Sequence, residues 1–209
     1  TRVNVLELAH QYDVAGFSCK TSAMTRAEEI ACALKSEASR AGRSVVTVLG
    51  GEHISMGGSS RPSKMFDYTL RGEAEEAFVA LLNLLASRPG GARNGPQQSL
   101  GGHHTCERFD NVPDLSLCPE YMETVRTFMF RRFRLLWMIL KKRAPIMTFQ
   151  GSRGCPYNCS FCPSPSQLQS KVYRRRSLES SVACLREHAG ITGIQHVMFE
   201  DPTAALPFS

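Results

Sequence analysis

Pro145-Ile-Met-Thr-Phe-Gln-Gly-Ser-Arg-Gly-Cys155-Pro-Tyr-Asn-Cys159-Ser-Phe-Cys162-Pro163 is the stretch on which the reading of this chain turns. Pro145 to Gln150 reads as a strand that delivers the chain into a loop. Gly151 and Gly154 permit a tight path there, and Pro156 and Pro163 stiffen it. The loop holds Cys155, Cys159 and Cys162, three of eight cysteines, in the spacing C-x3-C-x2-C. Three thiolates so close in sequence can close on one metal centre. Electron-transfer Fe–S clusters usually have four Cys ligands, and structural zinc sites are four-coordinate and closed. On a [4Fe–4S] cluster, a three-thiolate loop leaves one iron open to something else.

Downstream, Ser177 caps a helix that runs to about Ala189, with Leu178, Val182, Leu185 and His188 near one face. Gly190 ends it, and Gln195 to Phe199 is the next strand. Strand, cysteine loop, helix, strand fits the opening of a parallel (β/α) barrel. Glu200-Asp-Pro-Thr203 then falls on the same rim as the cysteines.

Upstream, Val3 to Tyr12 reads as the end of a helix and Asp13 to Ser18 as a short buried strand. Thr25 to Ala41 is an amphipathic helix, with Thr25 and Glu28 as a capping box, Ile30, Ala33, Leu34 and Ala38 as its apolar face, and Gly42 as its stop. Ser44 to Leu49 is a β-branched run of the kind buried on both faces of a parallel sheet. Phe66 to Leu70 is a further strand. Glu73 to Ser87 is a helix with Phe78, Leu81, Leu82 and Leu85 inward. This alternation predicts an α/β, Rossmann-like, doubly wound parallel sheet. Ligands of such sheets sit beyond the carboxyl ends of the strands, where Ser18, Gly50-Gly-Glu-His53 and Gly72-Glu73 lie. Plain turn glycines are the simpler alternative there.

Arg88 to Cys106 is rich in Gly, Pro, Asn, Gln and Ser and reads as a linker or surface loop. Its His103-His104 pair near Cys106 reads more simply as unligated than as a metal site. Glu120 to Arg143 reads as a basic helix bridging two domains. The organisation expected is therefore 1–87, a partial Rossmann-like domain; 88–144, linker and bridging helix; and 145–209, the start of a barrel. The chain begins at Thr1 and stops just after a strand, and reads as a piece of a longer protein.

The 209 residues are 42% hydrophobic, which suits a globular protein. Cys19, Cys32, Cys106, Cys118 and Cys184 show no pairing pattern, so reduced thiols and a cytoplasmic location are expected. No apolar run is long enough to span a membrane. The net charge of +6 is uneven: residues 124–178 hold twelve Lys or Arg and no Asp or Glu, and the rest of the chain is net acidic. Such a stretch favours bound anions, among them substrate carboxylates and phosphates. Nucleic acid is not the expected partner.

Arg153-Gly-Cys-Pro-Tyr-Asn-Cys-Ser-Phe-Cys162 resembles the loop of the radical S-adenosylmethionine (SAM) superfamily, a likeness that covers about 144–208. The resemblance implies that Cys155, Cys159 and Cys162 hold three irons of a [4Fe–4S] cluster and that SAM binds the fourth. An electron then cleaves the sulfonium to a 5′-deoxyadenosyl radical. It also implies that Phe161 lies against the adenine and that Glu200 or Asp201 meets the SAM amino group. An electron donor such as flavodoxin or ferredoxin follows from the same likeness. The upstream half resembles the cobalamin-binding domain that precedes many such enzymes, through Ser18, Gly50-Gly-Glu-His53 and Asp67-Tyr-Thr-Leu-Arg-Gly-Glu-Ala-Glu75. That likeness places Ser18, Gly50, Gly51, His53 and Gly72 around the cobalamin tail. It departs from the family at Ser18-Cys-Lys20, and the motif that in some cobalamin proteins supplies an axial histidine would lie before Thr1.

The function implied is methylation or cyclisation of a small organic substrate by a cobalamin-dependent radical SAM enzyme, and the basic stretch suits an anionic one. Two alternatives stand beside it. One is a radical SAM enzyme without cobalamin, such as a tRNA methylthiotransferase. The other is a non-catalytic zinc or Fe–S module with Cys106, Cys118 or Cys184 as fourth ligand.

Overall fold

The computed structural model describes residues 5–57, 64–87, 98–104, 110, 146–162, 172–192 and 196–202. The chain divides into two compact units, Thr1–Cys106 with Tyr157–Lys171, and Glu107–Pro156 with Val172–Ser209. The bridging helix read over 120–143, and Cys106 and Cys118, lie outside the described residues.

The first unit is built on strands β1 (Val14–Ser18), β2 (Val46–Gly50), β3 (Tyr68–Gly72) and β4 (Gln98–His104). All are parallel and ordered β1-β2-β3-β4. Helices α1 (Val5–Gln11), α2 (Met24–Arg40), α3 (Glu52–Ser55) and α4 (Glu75–Ala86) complete it. Side-chain alternation along β2 explains the layers. Leu49 packs with Ala27 and Ala31 of α2, while Val48 packs with Tyr68, Leu70 and Leu81, the last on α4. Both faces of the sheet are thus covered, and Thr47, Val48 and Leu49 of β2 are buried, as the β-branched run predicts. Ala9 of α1 meets Leu34 and Ala38 of α2 over the β1 edge.

Three expectations about the secondary structure of the first unit need correction. β1 is not buried: its residues are half-buried or exposed, because among the described strands it pairs only with β2. The capping box at Thr25 does not form. A 3-10 turn, Thr21–Ala23, leads into α2, so the cap position is Ala23 and makes no side-chain cap bond. Gln98–His104, read as linker, is strand β4. Two glycines and no β-branched residue hide its strand character, and pairing with β3 supplies what propensity lacks. The stop of α2 is as expected. Gly42 takes φ 68°, its N–H donates to Ser39 O, and Arg43 N–H donates to Ala38 O, which is a Schellman ending.

Asp67 closes the amino end of β3. One carboxylate oxygen takes the Lys35 ammonium at 2.7 Å, and the other accepts from Thr47 N–H and Oγ1 at 2.8 and 2.9 Å. It therefore fastens α2 to the sheet at the end away from the carboxyl rim, not beside a rim ligand.

The second unit is a β–α–β turn of structure. β5 (Ile146–Phe149) pairs in parallel with β8 (His196–Phe199), and α5 (Leu178–Thr192) connects them. Cys184 and Leu185 of α5 pack on Met147 and Phe149. Ser177 caps α5 as expected, with Ser180 N–H donating to its Oγ at 3.1 Å; Ser177 N–H donates to Asp110 Oδ1 at 2.8 Å. Gly190 does not end α5, which continues to Thr192. Leu178 is exposed rather than inward, the buried positions being Cys184 and His188.

His188 sits against β5, its Nδ1 2.8 Å from Met147 Sδ. Burial pushes its imidazole below the ordinary 6.5, with Glu187 pulling up and Arg176 pulling down. Below about pH 6.5 the unfolded chain binds a proton that the folded site resists, so stability falls as pH falls through that value. Thermal midpoints between about pH 7.5 and 5.5 should therefore drop in the wild type. His188→Leu should flatten the dependence, and an unchanged slope in that variant would assign the effect to another group.

Candidate functional site

The cysteine loop leaves the carboxyl end of β5. Its stem is closed by a two-residue antiparallel pair, β6 (Ser152–Arg153) with β7 (Arg174–Arg175). Arg176 N–H extends this ladder to Gly151 O at 2.8 Å, and its guanidinium lies 5.8 Å from the Phe149 ring centre. Asp201, just past β8, accepts from Ser152 N–H and from Ser152 Oγ, the latter at 2.6 Å. Glu200 N–H donates to Phe149 O at 2.9 Å, while the Glu200 side chain is exposed.

The two acids therefore differ. Asp201 ties the loop stem to the strand end, and Glu200 presents its carboxylate to solvent. Sequence proximity alone did not separate them. Asp201→Ala should lower stability by about 1–3 kcal/mol, because it strips the acceptor from Ser152. Glu200→Gln should leave stability within about 0.5 kcal/mol; if Glu200 meets SAM, as the resemblance implies, the change would act on SAM binding instead. Thermal unfolding and a SAM titration of each variant separate the roles, and the reverse pattern would exchange them.

Gly154 takes φ 77°, which serves the tight path read from the sequence. Cys155 is buried, Cys162 half-buried and Cys159 exposed, and none of the three is in a disulfide. Cys162 N–H donates to Cys159 O at 3.1 Å, so the C-x2-C segment is a turn. Phe161 within it is 87% exposed. Among the described residues no three His, Cys, Asp or Glu side chains converge as a metal-ligating group. The donor set itself suits an iron–sulfur cluster, whose ligands are Cys thiolates.

In the first unit the parallel strands carry five expected residues to one end of the sheet. Ser18 stands beside Gly50 in register, and Gly72 ends β3. Gly51 (φ 91°) leads into α3, where His53 N–H donates to Cys19 O at 2.9 Å and His53 Nδ1 lies 3.0 Å from Thr21 Oγ1. Ser55 Oγ donates to Gly51 O and accepts from Gly72 N–H, at 2.8 and 2.9 Å, stitching the second and third strand ends together. Ser18, Gly50, Gly51, His53 and Gly72 thus share a carboxyl rim, as a ligand site of this architecture requires. Sequence reading missed Ser55, whose bonds join Gly51 to Gly72, and Arg71, beside Gly72. The only signal for Arg71 was a single charge closing the run Tyr-Thr-Leu. His103 and His104 stand in register with Arg71 and Gly72 on β4, not in a loop. No described helix is long and apolar enough to cross a membrane.

No protein-family model matches the chain. It is similar to an uncharacterized methyltransferase of Pyrococcus horikoshii, 28% identical over 93% of this chain and 40% of that protein. It is also similar to the bacteriochlorophyllide d C-8(2)-methyltransferase of Chlorobaculum tepidum, 30% identical over 78% of this chain and 30% of that one. The chain thus spans well under half the length of these curated relatives. Among solved structures, it resembles the cobalamin-dependent SAM radical enzyme OxsB, solved with aqua-cobalamin and SAM. That match has a TM-score of 0.65 and 19% identity over 98% of this chain and 27% of that one. It also resembles the radical SAM methyltransferase TsrM of Kitasatospora setae, solved with its tryptophan substrate and a SAM analogue. Here the TM-score is 0.56, with 16% identity over 96% of this chain and 40% of that one. This likeness establishes the α/β fold expected from the sequence, and the curated similarities are to methyltransferases.

Proposed function

We propose that the chain serves a cobalamin-dependent radical SAM enzyme that methylates a small organic substrate. The observation that carries this reading is the C-x3-C-x2-C loop at the carboxyl end of β5, its stem closed by β6 and β7 and tied by Asp201. Similarity to methyltransferases favours methylation over ring closure.

Cys155, Cys159 and Cys162 would hold three irons of a [4Fe–4S] cluster. When bound, the cluster supplies an electron and an open iron to SAM, the source of a 5′-deoxyadenosyl radical. Phe161 offers an exposed ring for the adenine. Glu200 offers an exposed carboxylate suited to the SAM ammonium group. Asp201 holds the stem in register. On the rim of the first unit, Gly50, Gly51 and Gly72 let a bulky cobalamin tail approach the backbone, with Ser18 and His53 beside them. Residues 1–87 would then be the core of a cobalamin-binding part, with β4 extending its sheet, and 145–209 the opening of the barrel. An electron donor of the flavodoxin or ferredoxin kind is the implied partner, and the basic stretch 124–178 suits an anionic substrate.

The test is anaerobic reconstitution of the chain with iron and sulfide. The expected result is broad visible absorbance and about four irons per chain. Incubation with SAM and a strong reductant should release 5′-deoxyadenosine, and aqua-cobalamin should co-elute with the protein. Tight zinc with no iron would remove the radical reading. Iron and 5′-deoxyadenosine without corrinoid would leave the reading that lacks cobalamin.

A further inference from the structure

Arg71 is a charged residue at the carboxyl end of β3, immediately before Gly72 (φ 77°). Its Nε is buried and makes no hydrogen bond among the described residues. A guanidinium stays charged at any physiological pH, and a buried donor of a charged group without an acceptor is costly. The ladder around it is irregular. The register between β3 and β4 passes from Thr69↔Ser99 to Arg71↔His103, so β4 takes two more residues than β3 over that interval. Bulges of this kind re-aim side chains beside binding sites.

Among the described residues, neighbouring charges at this end of the sheet are engaged. Lys20 pairs with Glu52 at 3.8 Å, and Glu73, buried two residues beyond Arg71, has partners of its own. Among the described residues the arrangement is therefore a rim open at glycines, with a cationic group whose inner donor lacks an acceptor.

We infer that Arg71 is an oxyanion-binding residue of this rim, taking a phosphate oxygen of the ligand seated beyond β1, β2 and β3. The inference deepens the cobalamin reading and rests on it for the source of the oxyanion. A cobalamin tail is joined to the corrin side chain through a phosphodiester, and a planar guanidinium with several donors suits that group. Its diester negative charge would supply the acceptor that Nε lacks.

The experiment uses the whole chain and Arg71→Met, which keeps the side-chain stem and removes the guanidinium. The probes are aqua-cobalamin, cobinamide (the corrin without nucleotide and phosphodiester) and inorganic phosphate. Arg71→Met should weaken aqua-cobalamin at least about tenfold and leave cobinamide unchanged. Equal loss for both, or loss for neither, overturns the inference. If the wild type binds neither corrinoid, the cobalamin reading fails on its own, and phosphate then decides the role of Arg71. At constant ionic strength, exchange of chloride for phosphate should raise the thermal midpoint more in the wild type than in Arg71→Met, and equal responses overturn the inference. In chloride the variant should melt at or above the wild-type temperature, because it deletes an unsatisfied donor. A fall of several degrees marks Arg71 as a packing residue and likewise overturns it.

Discussion

Gly51→Ala is expected to destabilise the first unit by about 3 kcal/mol or more, a large share of the marginal stability of an ordinary domain. Gly51 holds φ 91° and ψ −168°, a region that residues with a Cβ enter at high cost. The added Cβ would also lie 2.6 Å from Cys19 N and 3.0 Å from Cys19 O. Those atoms cannot yield cheaply, since Cys19 N–H donates to Gly50 O and Cys19 O accepts from His53 N–H. Gly42→Ala is the control. It has φ 68° but nothing within 4 Å of the added Cβ, and should cost about 1 kcal/mol. Thermal melts by circular dichroism compare the two directly. Similar shifts would show that the close approach of Cys19 to Gly51 adds little to the cost.

Replacing any one of Cys155, Cys159 or Cys162 with Ala is expected to take reconstituted iron from about four atoms per chain to near none. The 5′-deoxyadenosine yield should fall with it. Two remaining thiolates hold too few irons to keep a cubane in place. Cys184→Ala and Cys32→Ala should keep both iron and yield. Cys184 is 2% exposed, packs on Met147 and Phe149, and has its thiol pushed up by burial, which suits a packing role better than that of a fourth ligand. Iron loss in Cys184→Ala would instead favour a closed four-cysteine module. Colorimetric iron and a visible spectrum on the same sample suffice.

The parallel sheet was legible because Ser44 to Leu49 is rich in β-branched residues and the flanking helices carry helical spacing. The carboxyl rim followed from topology alone, since Gly50, Gly51 and Gly72 lie at or directly after strand ends. The cysteine loop and its place after β5 followed from thiol spacing and the strand before it. What escaped depends on partners distant in sequence. β4 is a strand only because β3 offers it a ladder. Asp67 looked like part of a rim motif, yet its carboxylate is consumed by Lys35 and Thr47 at the other end of β3. Thr25 and Glu28 had the right spacing for a capping box, but the 3-10 turn shifts the helix start. Asp201 and Glu200 are neighbours with different tasks, which only the geometry of Ser152 reveals.

The two-residue ladder between β6 and β7 has a consequence for chain entropy. It joins Arg153 to Arg174 and so closes a loop of about twenty residues before any ligand arrives. Bringing together the ends of a flexible loop that long costs ~2–3 kcal/mol. With the stem already paired, that cost falls on folding of the β5–α5–β8 unit, not on cluster assembly. If the proposed cluster binds, its assembly would not bear the cost of bringing Arg153 and Arg174 together, so a cofactor could be lost and regained with the stem still paired.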